Sequence, residues 1–302
     1  MAGSTWQARL ALRYECQRAL LPAAVSTGDA GAADPAPSPG PCRTIARHQH
    51  EGPLRILQSL YPEGDAICHN VLVHPPSGLV SGDRLDITVD VDAGAHGLVT
   101  TPGATRFYRC DGAPAVQEAR LRLGAGSRLE WLPMEALCFS GCEAENRLTL
   151  ALAPGAEVMA WDITALGLPL AGKPFEAGSV LQHLELEGSW LERGRIQAQD
   201  TRLMDGPLGL AGHRCLATFF LAAGTPIEAH RREQALTLAR EQLEQHGLRA
   251  SAGATSPDPR VVVLRVLAPV VEPAMDLLRA VRSVWRPALW GLAPIPPRTW
   301  AL

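Results

Sequence analysis

The chain has 302 residues, with 28 Lys+Arg against 31 Asp+Glu, so its formal net charge is −3. Such a near-neutral balance gives no electrostatic reason to expect a nucleic-acid or anionic-membrane partner. No uncharged apolar run approaches the roughly 20 residues that a membrane span needs. Arg9, Arg13 and Glu15 interrupt the place where the apolar part of a signal peptide would lie. We therefore expect a globular protein of the cytoplasm, with no membrane partner.

The cysteines are odd in number and scattered. Without a signal peptide they are expected to be reduced thiols rather than a disulfide framework. Cys138 and Cys142 lie four residues apart, but no second pair follows at the spacing of a structural zinc site. The seven are Cys16, Cys42, Cys68, Cys110, Cys138, Cys142 and Cys215.

The first residues predict a strand, because apolar and polar side chains alternate from Trp6 to Arg13. Residues 22–40 are mostly Ala, Gly, Pro, Ser and Asp, and they offer almost nothing to bury. Such a segment cannot offset the entropy lost on ordering, so it predicts a disordered insertion within a single domain spanning residues 1–302. After Arg43, strand-like segments recur about every ten residues.

A weak internal repeat appears among these strand-like segments. Two alternating apolar residues are followed by a glycine and a small residue at 89–95, 121–127 and 150–156, and each copy precedes another strand-like run. The glycines, Gly94, Gly126 and Gly155, are spaced at close to 30 residues. Stacked β layers produce such a period. A series of hairpins with glycine turns would explain it equally well.

The last third predicts two helices with a buried strand, Val261 to Leu267, between them. Residues 225–228 predict a capping box at the start of the first helix, with proline at the first helical position. Gly247 is placed to end this helix. The second helix is expected to begin near Pro273 and to stop at Pro287. The chain is thus predicted to be mainly β, with two α-helices in its C-terminal third.

Catalytic signatures for phosphate loops, dinucleotide binding, serine hydrolases and zinc proteases are absent from the sequence. What remains are carboxylates in apolar strand-like segments: Glu130, Glu135, Asp162 and Glu176. They either face a polar interior, where burial would raise their pKa values, or simply point outward from alternating strands. His48 and His50, two residues apart, would share one strand face as chelating ligands do, although exposed histidines are also common.

Several ordered segments carry a more specific signal. They are Glu51-Gly-Pro-Leu-Arg55, Tyr61-Pro-Glu-Gly64, Cys68-His69 with the run from His74 to Leu85, residues 100–109, residues 129–135, Trp161-Asp162-Ile163 and Pro297-Arg-Thr-Trp300. Together they resemble the signature of the urease accessory protein family UreD, also called UreH. The resemblance covers essentially the whole chain.

This resemblance implies a mostly β fold with stacked, β-helix-like layers and two helices. It implies a non-catalytic scaffold that binds apo-urease and UreF, and through UreF the GTPase UreG. No cofactor is expected to be tightly bound, because nickel would only pass in transit through an internal channel. Together with the sequence context, it suggests a nickel path along Glu130, Glu135, Asp162 and Glu176, with Cys68, His69 and His74 near its mouth. Partner contacts are expected on the helices and the tail, at Trp285, Trp290 and Trp300.

Two other functions fit the residues. A β-helix with inward carboxylates is also the architecture of polysaccharide lyases or glycosidases, in which paired acids do general acid–base work. The aromatic content of 5% is low for a sugar-binding groove. A nickel-storage protein is the third reading, but the chain lacks a histidine-rich tract.

Overall fold

The computed structural model describes residues 6–18, 42–76 and 78–301, so the predicted insertion at 22–40 lies outside the described residues. The first strands are β1 (Gln7–Arg18), β2 (Cys42–Glu51), β3 (Arg55–Ile56), β4 (Ile67–Val73), β5 (Gly78–Leu79), β6 (Arg84–Val91), β7 (His96–Thr100), β8 (Thr105–Phe107), β9 (Ala115–Leu123) and β10 (Arg128–Leu132). The remaining strands are β11 (Ala136–Cys138), β12 (Cys142–Leu152), β13 (Glu157–Leu168), β14 (Lys173–Pro174), β15 (Gly178–Leu186), β16 (Trp190–Gln197), β17 (Cys215–Ala223), β18 (Ala252–Asp258) and β19 (Val261–Ala268). The helices are α1 (Thr201–Asp205), α2 (Ala229–Glu244) and α3 (Val271–Trp290), with 3₁₀ turns at Pro169–Ala171 and Arg298–Ala301.

The strands form two sheets. A 7-stranded sheet runs in the order β16-β15-β12-β9-β6-β1-β2, and its five inner strands are parallel. A 12-stranded sheet has the main path β18-β19-β17-β13-β10-β7-β4-β3, with β4, β7, β10 and β13 parallel. The chain alternates between the two sheets, so successive coils stack as the layers of a β-solenoid. The predicted fold class, mainly β with stacked layers, is confirmed.

The sequence repeat corresponds to the coils of this stack. Val89 pairs with Leu121 and Leu121 pairs with Leu150, so the repeats lie in register on adjacent parallel strands. Gly94, Gly126 and Gly155 have φ values of 72°, 63° and 74° at the turns between the two sheets. This left-handed conformation strains residues that carry a Cβ atom, which explains why glycine recurs there. Stacked layers, rather than independent hairpins, are the correct reading of the repeat.

Two hydrophobic cores follow from this arrangement. The first fills the space between the sheets, where side chains from both sheets interdigitate. The second lies on the opposite face of the 12-stranded sheet, where α2 and α3 cover β13, β17 and β19. Nearly every residue of β13 is buried, because this strand has a core on each face. The strand predicted from Val261 to Leu267 is confirmed as β19.

The helix ends differ from those predicted. The helix α2 begins at Ala229, and Glu228 at its N-cap makes no side-chain capping bond, so the capping box is wrong. Ile227 is instead buried against the second core. The helix α3 begins at Val271 and continues through Pro287 to Trp290, with Gly291 (φ 66°) after its end. Burial of the side chains in this last turn outweighs the single hydrogen bond that proline removes. The one-turn helix α1 was not predicted.

The cysteine prediction also needs one correction. Cys16 and Cys42 form a disulfide, because the antiparallel pairing of β1 with β2 brings their Cα atoms to 5.5 Å. The other five cysteines are free thiols, as expected. No helix among the described residues is long and apolar enough to cross a membrane.

Gly97 on β7 offers a test of how tightly the first core is packed. A Cβ atom at this position would lie 2.4 Å from the ring of Tyr14. That ring is fully buried, and its hydroxyl donates a hydrogen bond to the Leu98 carbonyl, so it has no room to move. We expect Gly97→Ala to lower the free energy of unfolding by about 1–3 kcal/mol, measured by urea denaturation. Gly103→Ala, where a Cβ meets nothing within 4 Å, is the control. Equal stability of the two variants would contradict this packing.

Candidate functional site

A row of amide side chains crosses the inner face of the 7-stranded sheet. Asn146 on β12 pairs with Gln117 on β9 and with Gln182 on β15, so the three residues occupy one register position on neighbouring parallel strands. Parallel in-register strands place equivalent side chains side by side on the same face. Asp162 on β13, in the opposite sheet, meets this row.

Hydrogen bonds link the row into one chain. The Thr105 hydroxyl donates to Gln117 (3.1 Å), and the Gln117 amide donates to Asn146 (3.2 Å). The amides of Asn146 and Gln182 then donate to separate oxygens of Asp162, each at 2.6 Å. The polar groups of this interior are therefore satisfied by one another, as a buried network requires.

Two adjoining cavities follow the same row. The larger, about 250 Å³, lies between the sheets beside His74, Thr105 and Gln117. The smaller, about 20 Å³, lies beside Asn146 and Asp162. Their linings share Thr105, Gln117, Trp131 and Pro133, so the two cavities are neighbours, with His74 beside the first and Asp162 beside the second.

Asp162 is the only carboxylate among the residues that line these two cavities. Burial raises the pKa of Asp162, although hydrogen bonds from Gln182, Thr164 and Asn146 favour its charged form. A carboxylate of this kind, with neutral amides around it, is an oxygen ligand that holds a divalent ion weakly. A glycosidase needs two carboxyl groups that flank one bond, and these linings supply one.

His74 lines the larger cavity, where its imidazole is the only histidine side chain among the lining residues. Both ring nitrogens are buried without a hydrogen-bond partner among the described residues, and the ring packs 4.9 Å from that of Trp6. Burial lowers the pKa of His74, although the charge of Asp83 opposes this effect. The neutral imidazole that results is the form that binds metal ions.

Glu130, also predicted on the path, lies on the far side of the 12-stranded sheet. Its carboxylate is fully buried, and it accepts hydrogen bonds from Arg282 (2.7 Å) and Arg286 (2.8 Å) on α3. Arg286 also donates to both oxygens of Glu63, each at 2.8 Å. Glu63 in turn lies 2.9 Å from His69. Glu130 is thus held in an ion-pair cluster rather than facing the cavities, which corrects its predicted placement.

The charges of this ion-pair cluster are balanced. Burial alone would raise the pKa of Glu130, but the charges of Arg282 and Arg286 outweigh it and lower the pKa. Burial opposes the charged form of Glu63 as well, yet hydrogen bonds from His69 and Arg286 lower its pKa to about 2. Arg286 also donates to the Ala293 carbonyl, and Arg282 donates to the Ile295 carbonyl at 3.1 Å. The cluster therefore ties α3 and the C-terminal segment to the sheet.

The remaining path candidates lie apart from the cavities. Glu176 is exposed, so the prediction that it faces the interior is wrong. Glu135 lines a separate groove of about 460 Å³ near the start of α3. Cys68 and His69 are adjacent on β4, whose alternation points Cys68 into the first core and His69 towards Glu63. None of these four lines the two cavities between the sheets.

The three tryptophans at which partner contacts are expected from the sequence are mostly buried. Trp285 lies inside the second core and donates to the Ala235 carbonyl at 2.8 Å. Trp290 is buried and donates to Glu157 at 2.8 Å. Trp300 stacks on Trp161 with ring centroids 5.2 Å apart. Trp285 and Trp290 are therefore out of a partner's reach, which corrects the expected contacts there, and Trp300 is partly covered by the chain itself.

Sequence reasoning missed the amides and arginines that build these sites. The repeat contained a signal for two of them, because Gln117 and Asn146 each lie nine residues before the turn glycine of their coil. The arginines had a helical signal, since Arg282 and Arg286 interrupt the apolar face of α3 at i, i+4 spacing. Among the described residues, no three His, Cys, Asp or Glu side chains are grouped to hold a metal ion.

Comparison with known proteins identifies the family. The family model described as UreD urease accessory protein matches residues 36–301. A urease accessory protein UreD of Paracidovorax citrulli is 60% identical over 99% of this chain and 100% of its own length. Relatives of the same description from Variovorax paradoxus and Methylibium petroleiphilum are 63% and 49% identical, over 86% and 88% of this chain and 94% of their own lengths. The chain therefore belongs to the UreD family of urease accessory proteins.

The ion-pair cluster gives a stability prediction. Glu130→Gln removes the negative charge and leaves Arg282 and Arg286 buried with less compensation. We expect the free energy of unfolding to fall by about 3–5 kcal/mol in urea denaturation. Glu176→Gln, at an exposed carboxylate, is the matched control and should change stability by less than about 0.5 kcal/mol. A loss below about 1 kcal/mol for Glu130→Gln would mean that the cluster is not needed for stability.

His96 predicts a pH dependence. Burial lowers the pKa of His96 from 6.5 to about 4, so the unfolded chain binds a proton at a higher pH than the folded chain does. Stability should therefore be complete above pH 6.5 and fall by about 3 kcal/mol as the pH drops to 4. His96→Gln should flatten this slope in urea denaturation at a series of pH values, while His230→Gln, at an exposed histidine, should keep it. An unchanged slope in His96→Gln would refute the assignment.

Proposed function

We propose that this chain is a non-catalytic scaffold for urease maturation in the cytoplasm. In this role it binds apo-urease and UreF, and UreF brings the GTPase UreG. Nickel is cargo and passes through the interior of the chain to the urease active site. Membership of the UreD family supports the role in urease maturation. The lining of the cavities, with a single carboxylate, favours transit over sugar hydrolysis.

The observation that carries the nickel path is the polar row between the sheets. Gln117 and Asn146 provide neutral amide oxygens along the row, and Asp162 provides one negative charge. Because amide and carboxylate oxygens are weak ligands for nickel compared with imidazole or thiolate, an ion would exchange rapidly along them. His74, at the other end of the cavities, provides a stronger ligand where an ion would enter.

The path differs from the one drawn from the sequence. It keeps Asp162 and His74, which line the two adjoining cavities. Glu130 forms ion pairs with Arg282 and Arg286, so the row of amides takes its place in the path. Glu135, Glu176, Cys68 and His69 lie outside it.

Asp162→Asn tests this path, because it removes the charge while keeping the shape of the side chain. With urease and its accessory proteins co-expressed, we expect assembly and melting temperature near those of the wild type. Nickel per urease active site should fall roughly tenfold at limiting nickel, the scale of effect seen when a metal site loses a supporting group.

Glu176→Gln serves as the control for this experiment, because it removes an exposed carboxylate outside the cavities. It should leave nickel loading unchanged. Normal loading of a folded, assembled Asp162→Asn complex would rule out the transit role of Asp162. A joint loss of melting temperature and complex yield would instead assign Asp162 to structure.

A further inference from the structure

Two histidines stand side by side on an exposed strand. His48 and His50 lie on β2, the edge strand of the 7-stranded sheet, opposite Leu12 and Leu10 of β1. Residues that alternate along a strand share one face, so the two imidazoles project together. Their ring centroids are 6.0 Å apart and their planes differ by 19°. Both side chains are exposed.

Neither imidazole is engaged elsewhere. No hydrogen bond or ion pair reaches the rings of His48 or His50 within the part of the chain that the structure describes. Other histidines of the chain are occupied: His69 meets Glu63, and His183 meets Glu185. The charge of the neighbouring Arg47 is neutralised by Glu15 at 2.9 Å. The pair is thus free to turn towards a shared ion.

We propose that His48 and His50 form a surface chelate for a borderline divalent cation such as Ni²⁺. Imidazole nitrogen binds nickel, copper and zinc, whereas magnesium and calcium prefer oxygen. Metal–nitrogen bonds of about 2.1 Å are reached by small rotations of two exposed rings. With two protein ligands and water in the other positions, the ion remains exchangeable.

The position of the pair suggests what the chelate does. On the same register row, His50 opposes Leu10, and Leu10 pairs with Ile87, which lines the cavity of about 250 Å³. Strands lie about 4.8 Å apart, so the backbone of His50 is about 10 Å from that of Ile87. In the proposed role, the chelate therefore binds nickel from solution at the edge of the sheet next to this cavity. This capture role rests on the proposed function, whereas the binding of the metal does not.

Equilibrium dialysis of the untagged full chain against Ni²⁺, in excess Mg²⁺, tests the site. We expect the wild type to bind one nickel equivalent at the surface, in addition to any nickel held in the interior, and His48→Ala and His50→Ala should each weaken this surface equivalent by at least about tenfold. His230→Ala is the matched control, because His230 is also exposed but stands next to Glu228 without a second histidine. Both replaced side chains are on the surface, so the variants should fold as the wild type does. Identical isotherms for the wild type and the two variants would overturn the proposal.

Urease loading separates this inference from the proposed function. In cells with limiting nickel, the variant carrying both His48→Ala and His50→Ala should load less nickel into urease than His230→Ala does. Normal loading despite lost binding would overturn the capture role. Asp162→Asn should still bind the nickel equivalent held by His48 and His50. If only the interior path is wrong, the dialysis result will therefore be unchanged, and Asp162→Asn will load urease normally.

Discussion

In-register stacking of parallel strands is the constraint on which the rest of this structure depends. A slip of one residue in a strand would move its whole set of inward side chains to the other face. The glycine turns at Gly94, Gly126 and Gly155 hold the coils at one register. Because the register is shared, Gln117, Asn146 and Gln182 form a continuous row rather than isolated buried amides. The polar interior is thus a product of the same repeat that builds the fold.

The cluster of Glu130 with Arg282 and Arg286 performs a different task. It joins the solenoid to α3 and, through backbone carbonyls, to the segment that follows this helix. Buried ion pairs contribute little net stability compared with apolar packing, but the loss of one partner is costly. The carboxylate of Glu130 is bound by two guanidinium groups. It is therefore positioned to fix the helix and not to release an ion. Asp162, in contrast, accepts hydrogen bonds from neutral amides.

The periodicity and turn glycines left stacked layers and hairpins equally open, and the resemblance to the UreD family favoured layers, which the register confirms. The UreD family followed from ordered segments along most of the chain, and the comparisons confirm it. The sequence could not separate Asp162 from Glu130, because both are single carboxylates in apolar strands. Only the side chains that contact them from other elements differ. Those side chains come from distant residues: Arg282 lies 152 positions from Glu130. The exposed Glu176 and the buried Trp285 were misplaced for the same reason, because burial depends on which element packs above a strand.

Nickel-edge anomalous diffraction from crystals soaked in Ni²⁺ would test the central claim, a metal path between the sheets, most directly. The account predicts anomalous peaks inside the chain, beside His74 in the larger cavity and beside Asp162 in the smaller one. It also predicts no peak at Glu130, whose oxygens are taken by arginines. Peaks confined to surface side chains, with both cavities empty at saturating nickel, would contradict it.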